Sequence, residues 1–176
     1  AEVDSIPIVI VHACAIYYAP TAYFARIGKR IKYQHFNHCI ISNPHNEVHT
    51  AYGATLITPA YHLRYVWKFS ILKASNIAEE LYIGIVPYPP HYNDDDFCGK
   101  PNTANYSLGW NGRKYSHLTR GRGEPCCSGY DVGSVVCMKL DFTNPDNGGK
   151  LSFKVGRKKY QIAFSDIPRE TEYKMC

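Results

Sequence analysis

Two stretches of this 176-residue chain gather side chains able to grip or attack another molecule. Pro87 to Ala104 carries Tyr88, Tyr92 and the acidic run Asp94-Asp95-Asp96. Thr119 to Gly129 carries Arg120, Arg122 and Cys126-Cys127-Ser128. Loop tyrosines offer a broad apolar face with a hydroxyl tip at low entropy cost. The aspartates favour a basic or amide-rich partner and speed its approach. The arginines suit a carboxylate, held through paired N–H donors, or pair with the acidic run in the free protein. Tyr88, Tyr92, Asp94, Asp95, Asp96, Arg120 and Arg122 are therefore the candidate ligand-binding residues, placed where the two stretches meet.

Other chemistries lack the residues they need. Cys126-Cys127-Ser128 with His117 supplies a nucleophile and a base, but no motif frames them, and an exposed, reduced thiol pair is the simpler reading. His35, His38 and Cys39 lie too close in sequence for a tetrahedral set, and no Cys-x2-Cys is present. Asp94-Asp95-Asp96 lacks the alternate spacing and distal Glu of a calcium loop. Gly121-Arg122-Gly123 does not follow a strand and open a helix, as a phosphate loop must. No catalytic residue, metal or cofactor is expected.

The elements that position these loops are strands. In Val132 to Phe142 the residues Val132, Val136, Met138, Leu140 and Phe142 are apolar, with Lys139 and Asp141 on the other face. This period of two suits a strand that buries one side. Asn144 to Gly149 is a turn signal; Leu151, Phe153 and Val155 then alternate with lysine and serine. Gly156-Arg157 fits a type II′ turn, and Tyr160, Ile162 and Phe164 resume the alternation. The result is an antiparallel meander with one apolar face, which requires a second sheet over it. Tyr65, Trp67, Phe69 and Ile71 mark another strand, and Leu81 to Val86 reads as its hairpin partner. Ile6 to Val11, Lys32 to Ser42, Val48 to Ile57 and Tyr106 to Tyr115 are further strand candidates. The expected core is Trp67, Phe69, Ile83, Val136, Leu140, Leu151, Phe153 and Phe164.

Composition agrees with an all-β domain: 15 tyrosines, 2 methionines and no helical run. The net charge of +5 is spread over short basic clusters, without the stripe of a nucleic-acid binder. Ile6 to Ala19 is apolar but follows Glu2 and Asp4, so it reads as neither signal peptide nor membrane span. Seven irregularly spaced cysteines point to reduced thiols and a cytoplasmic setting. A start at Ala1 reads as a piece of something longer.

Four segments in order resemble the SPRY (B30.2) domains. They are Tyr65 to Leu72, Leu81 to Val86, Leu108-Gly109-Trp110 with Arg113 to His117, and Val132 to Asp141 with Gly149 to Phe153 and Ala163-Phe164. Ser134 stands where the family often has Asp, and Cys137 where it often has Gly. The resemblance implies a single two-layer antiparallel β-sandwich, lectin-like, over residues 1–176. Residues 1–60 would be the PRY-like part and 61–176 the SPRY-like part. The strands that usually follow Phe164 would be largely missing, with Ile6 to Val11 or a neighbouring molecule covering the open edge. The implied function is non-catalytic recognition of a protein or peptide through loops at one rim, with no nucleic-acid or membrane partner. A carbohydrate-binding lectin-like domain is the alternative, since a fold does not fix a function.

Overall fold

The structure, a computed structural model, describes residues 8–13, 24–27, 32–35, 39–42, 51–53, 56–59, 63–73, 81–88, 106–116, 119 and 122–176. Fourteen strands form among the described residues: β1 (Ile8–Ala13), β2 (Phe24–Ile27), β3 (Lys32–His35), β4 (Cys39–Ser42), β5 (Ala51–Gly53), β6 (Arg64–Lys73) and β7 (Tyr82–Pro87) in the first half. The second half adds β8 (Tyr106–Gly109), β9 (Arg113–Ser116), β10 (Glu124–Pro125), β11 (Val135–Asp141), β12 (Gly149–Val155), β13 (Gln161–Ile167) and β14 (Tyr173–Met175). No α-helix occurs among the described residues.

Seven strands make one antiparallel sheet in the order β13-β12-β11-β6-β1-β4-β3. Five make a second, β10-β9-β8-β7-β14, and β2 pairs with β5. The two large sheets share one core, as their one-sided patterning requires. The Tyr106 ring of β8 meets Phe164 of β13 edge-on at 5.2 Å between centroids. Lys114 of β9 crosses between the sheets and donates from Nζ to the Ala163 carbonyl at 3.0 Å.

All eight expected core residues are buried. In β11, Val136, Met138 and Leu140 point inward while Cys137 and Lys139 face out, the alternation expected from the sequence. Gly156 has φ 61° at the first central position of the β12–β13 turn, as a type II′ hairpin demands.

Several local readings are corrected. β6 and β7 are not a hairpin: β6 pairs with β1 and β11, whereas β7 pairs with β8 and β14 in the other sheet. Alternation marks a strand but not its neighbour, and a strand with a buried face is equally satisfied across the core. Val132 is 52% exposed because the strand starts only at Val135. Ile162 is 57% exposed, and adjacent Ala163 and Phe164 are both buried. Register shifts between β12 and β13 break the period of two there. Lys32 to Ser42 is two strands, β3 and β4, paired with each other. β1 is no edge cover; it lies inside the large sheet between β6 and β4. The chain past Phe164 does return a strand, β14, which pairs with β7 and bridges Ile57 on its other side.

One polar contact ties β6 to β11 at their ends. Arg64 donates from Nε to Asp141 Oδ2 at 3.0 Å, and Asp141 Oδ1 accepts from the Thr143 amide at 2.9 Å and the Thr143 hydroxyl at 2.6 Å. Burial alone would raise the Asp141 carboxyl, but the Thr143 hydrogen bonds and the Arg64 charge outweigh it and hold it below the ordinary range.

Two outcomes follow from this packing. Phe153→Ala should cost about 3–5 kcal/mol in urea unfolding, because a fully buried ring between the sheets leaves a cavity. Asp141 is bound more tightly as the anion when folded, so its stabilisation is complete above about pH 5 and is lost as pH falls below about 4. The difference in Tm between the wild type and Asp141→Asn should accordingly be larger at pH 7 than at pH 3.

Candidate functional site

The strand pairing decides which loops share an end of the sandwich. Tyr106 pairs with Ser116, and Ile85 with Tyr106, so the chain leaves β7, enters β8 and leaves β9 at the same end of the small sheet. At about 4.8 Å per strand, the exits from β7 and β9 are ~10 Å apart. Tyr88, just past β7, and Ser116, the last residue of β9, therefore lie toward one rim.

Tyr88 stands at that rim, 42% exposed but braced. Its amide donates to the Glu172 carbonyl at 2.8 Å, continuing the pairing of β7 with β14. Lys174 Nζ lies 5.2 Å from the Tyr88 ring centroid, a cation–π contact made by a buried lysine. Glu172 is itself held, since the Thr58 hydroxyl donates to Oε1 at 3.3 Å. The opposing exit is closed by a local turn in which Thr119 Oγ1 accepts from the Ser116 amide at 3.0 Å and donates to its carbonyl at 2.8 Å. The Arg122 amide then donates to Thr119 O at 2.9 Å, and the Arg122 side chain is exposed.

Of the seven residues singled out from the sequence, Tyr88 and Arg122 are described: Tyr88 directly follows β7, and Arg122 lies between β9 and β10. Tyr92, Asp94, Asp95, Asp96 and Arg120 lie outside the described residues. So do His38 and His117.

Sequence reasoning missed part of the adjoining surface. Tyr115 alternates with core-directed Lys114, so it faces away from the core. Tyr82, two places before Gly84 on β7, shares that outer face, because Gly84 pairs with Ser107 and Ser107 with Tyr115. The Tyr82 and Tyr115 rings meet edge-on at 5.2 Å, and Asn111 Nδ2 donates to the Tyr115 hydroxyl at 2.9 Å. Gly109 and Gly123 make room for this pair; a Cβ at Gly123 would lie 2.5 Å from Tyr115 Cζ. The signal was present as tyrosines at the wet positions of strands, but only the pairing puts them side by side.

Thr119 to Gly129 is not one loop. β10 pairs antiparallel with β9, Glu124 opposite Lys114, and this carries the chain back to the far end of the small sheet. Lys114 Nζ lies 3.3 Å from Glu124 Oε2 across that pair. There the amides of Cys126 and Cys127 both donate to Gly112 O, at 3.1 and 2.9 Å, and the Tyr130 amide donates to Trp110 O at 2.8 Å. The buried Tyr130 hydroxyl sits 2.8 Å from Leu81 O and 3.0 Å from Leu108 O, and burial pushes it well above the usual phenol range. Cys126 and Cys127 are half-buried free thiols, so the pair is less exposed than expected. Cys137 is also free, whereas Cys176 is disulfide-bonded, which corrects the reading of uniformly reduced cysteines. No group of three metal-capable side chains occurs among the described residues.

Comparison with known proteins places this geometry. No family model matches the chain, and no curated protein matches it. Among solved structures it is similar to the SPRY domain of human HERC1, with a TM-score of 0.54 and 21% identity over 74% of this chain and 76% of that one. The fold is that of a SPRY β-sandwich. Ser134 closes the turn that leads into β11: its hydroxyl accepts from the Asp131 amide at 3.0 Å and lies 3.2 Å from Asp131 Oδ1.

The packing at the far end sets a sharp expectation for Gly112. Its φ is 76°, and a Cβ there would overlap the Cys127 carbonyl oxygen. Gly112→Ala should therefore lower stability by about 2–3 kcal/mol in chemical denaturation. A loss under about 0.5 kcal/mol would mean that the Cys126–Tyr130 segment does not close over the β8–β9 turn.

Proposed function

We propose that this chain is a non-catalytic recognition module that takes a peptide segment of a protein partner at the rim carrying Tyr88. The observation that carries the reading is the state of Tyr88 itself. A large aromatic side chain is held half-exposed, its backbone fixed by β14 and its ring fixed by Lys174. An ordered, exposed aromatic supplies binding area without the entropy cost of freezing it. The SPRY fold supports the same reading, because loops on a rigid sandwich are where recognition residues concentrate. Tyr82 and Tyr115 extend the aromatic surface along the sheet. Asp94, Asp95 and Asp96 set the preferred partner as basic or amide-rich, and Arg120 and Arg122 provide a grip for a carboxylate.

The test is a random peptide display selection on the immobilised chain, with a glycan array run with and without calcium beside it. Enriched peptides should lose about tenfold in affinity on Tyr88→Ala, roughly 1.4 kcal/mol, with an unchanged Tm, and the glycan array should be blank. Peptides that bind the variant equally well would move the site elsewhere on the sandwich. Glycan binding without peptide enrichment would replace this reading with the lectin one.

A further inference from the structure

At the end of the small sheet opposite Tyr88, two adjacent cysteines present their sulfurs to each other. Cys126 Sγ and Cys127 Sγ are 3.3 Å apart, and both thiols are free and half-buried. Cys127 Sγ also lies 3.9 Å from the Phe153 carbonyl. We propose that Cys126 and Cys127 are a redox site in which a hydroperoxide closes the pair to a vicinal disulfide and thiols reopen it.

The geometry carries the proposal. A disulfide needs its sulfurs at about 2.05 Å, so closure asks the pair to approach by only about 1.2 Å. Neighbouring Cα atoms are about 3.8 Å apart across a trans peptide, below the usual disulfide span of about 4.4–6.8 Å. The bond is therefore strained and readily reduced, which suits a reversible site and not a structural staple. Cys176 is the contrast within the same chain, disulfide-bonded where Cys126 and Cys127 are thiols.

The two sulfurs have different parts. Either sulfur can donate in the hydrogen bond between them, which stabilises whichever is the thiolate; against the opposing effect of burial, the Lys114 charge acts on Cys126 and selects it. The same hydrogen bond, with burial, keeps Cys127 protonated. The Cys126 thiolate attacks the terminal oxygen of the hydroperoxide, the O–O bond breaks, and the alkoxide leaves and takes up the proton that Cys126 released. Cys126 is now a sulfenic acid, oxidised by two electrons. Cys127 then gives up its proton as its sulfur attacks the Cys126 sulfur, and hydroxide leaves and takes that proton as water. Two thiols and one hydroperoxide thus yield one disulfide, one alcohol and one water.

Closure reaches the backbone. Both cysteine amides share Gly112 O as acceptor, and the tight ring forces the peptide between them to turn. At least one of these bonds is lost, and the segment loosens from the β8–β9 turn.

The experiment treats the intact chain with hydrogen peroxide, alkylates the remaining thiols and maps the products by mass spectrometry. The expected result is a Cys126–Cys127 disulfide that glutathione reverses, with faster amide hydrogen exchange at Cys126 and Cys127. Cys126→Ser should slow peroxide consumption at least about tenfold. Cys127→Ser should accumulate a sulfenic acid at Cys126 that dimedone traps, and Cys137→Ser should behave as wild type. Should either serine variant fail to fold, the wild-type map alone decides. Cys126 and Cys127 both recovered as alkylated thiols after Cys137 has been oxidised, or a disulfide from either to any other cysteine, would overturn the proposal.

Discussion

The structure depends on covering the inward row of β6. Tyr65, Trp67, Phe69 and Ile71 put four large side chains on one face of one strand, and each is buried. A single sheet would leave that row in water, so the second sheet is obligatory. The row is also where the two layers are tied. The Tyr65 hydroxyl is bound by the backbone of Thr58, accepting from its amide at 3.1 Å and lying 3.3 Å from its carbonyl. The preceding residue, Ile57, exchanges both backbone hydrogen bonds with Tyr173 of β14. One aromatic residue of the large sheet thereby fixes the edge strand of the small sheet.

That tie sets the position of the candidate rim. β14 holds Tyr88 through the Glu172 carbonyl and the Lys174 ammonium, so the exposed ring inherits the rigidity of the core. At the opposite end, Gly112 allows the Cys126–Tyr130 segment to close on the β8–β9 turn, which aligns the two thiols. The proposed recognition and the proposed redox chemistry thus concern separate ends of the same five strands.

The strands and the core were largely legible because burial of one face imposes a period of two, and Trp67, Val136, Leu140, Leu151 and Phe153 obey it. What the pattern does not encode is partnership. β7 follows β6 in sequence yet crosses to the other sheet, since either sheet buries Ile83 and Ile85 equally well. Register shifts opposite β13 expose Ile162 where alternation predicts burial, because an extra residue turns the face over. Of the site, Tyr88 was legible as an aromatic next to a strand end. Lys174, Tyr82 and Tyr115 were not, because their proximity is created by pairing between distant segments. The single stretch Thr119 to Gly129 divides between two ends of the sheet once Glu124 is paired with Lys114.

The central claim is that partners are recognised at the Tyr88 rim and not on the open face of the large sheet. Site-specific photocrosslinking addresses it directly, with a benzophenone amino acid at Tyr88 in one sample and at Ile162, exposed on the other sheet, in a second. With a display-selected peptide as probe, the account predicts a crosslink from position 88 and none from position 162. A crosslink from position 162 with none from position 88 would contradict it.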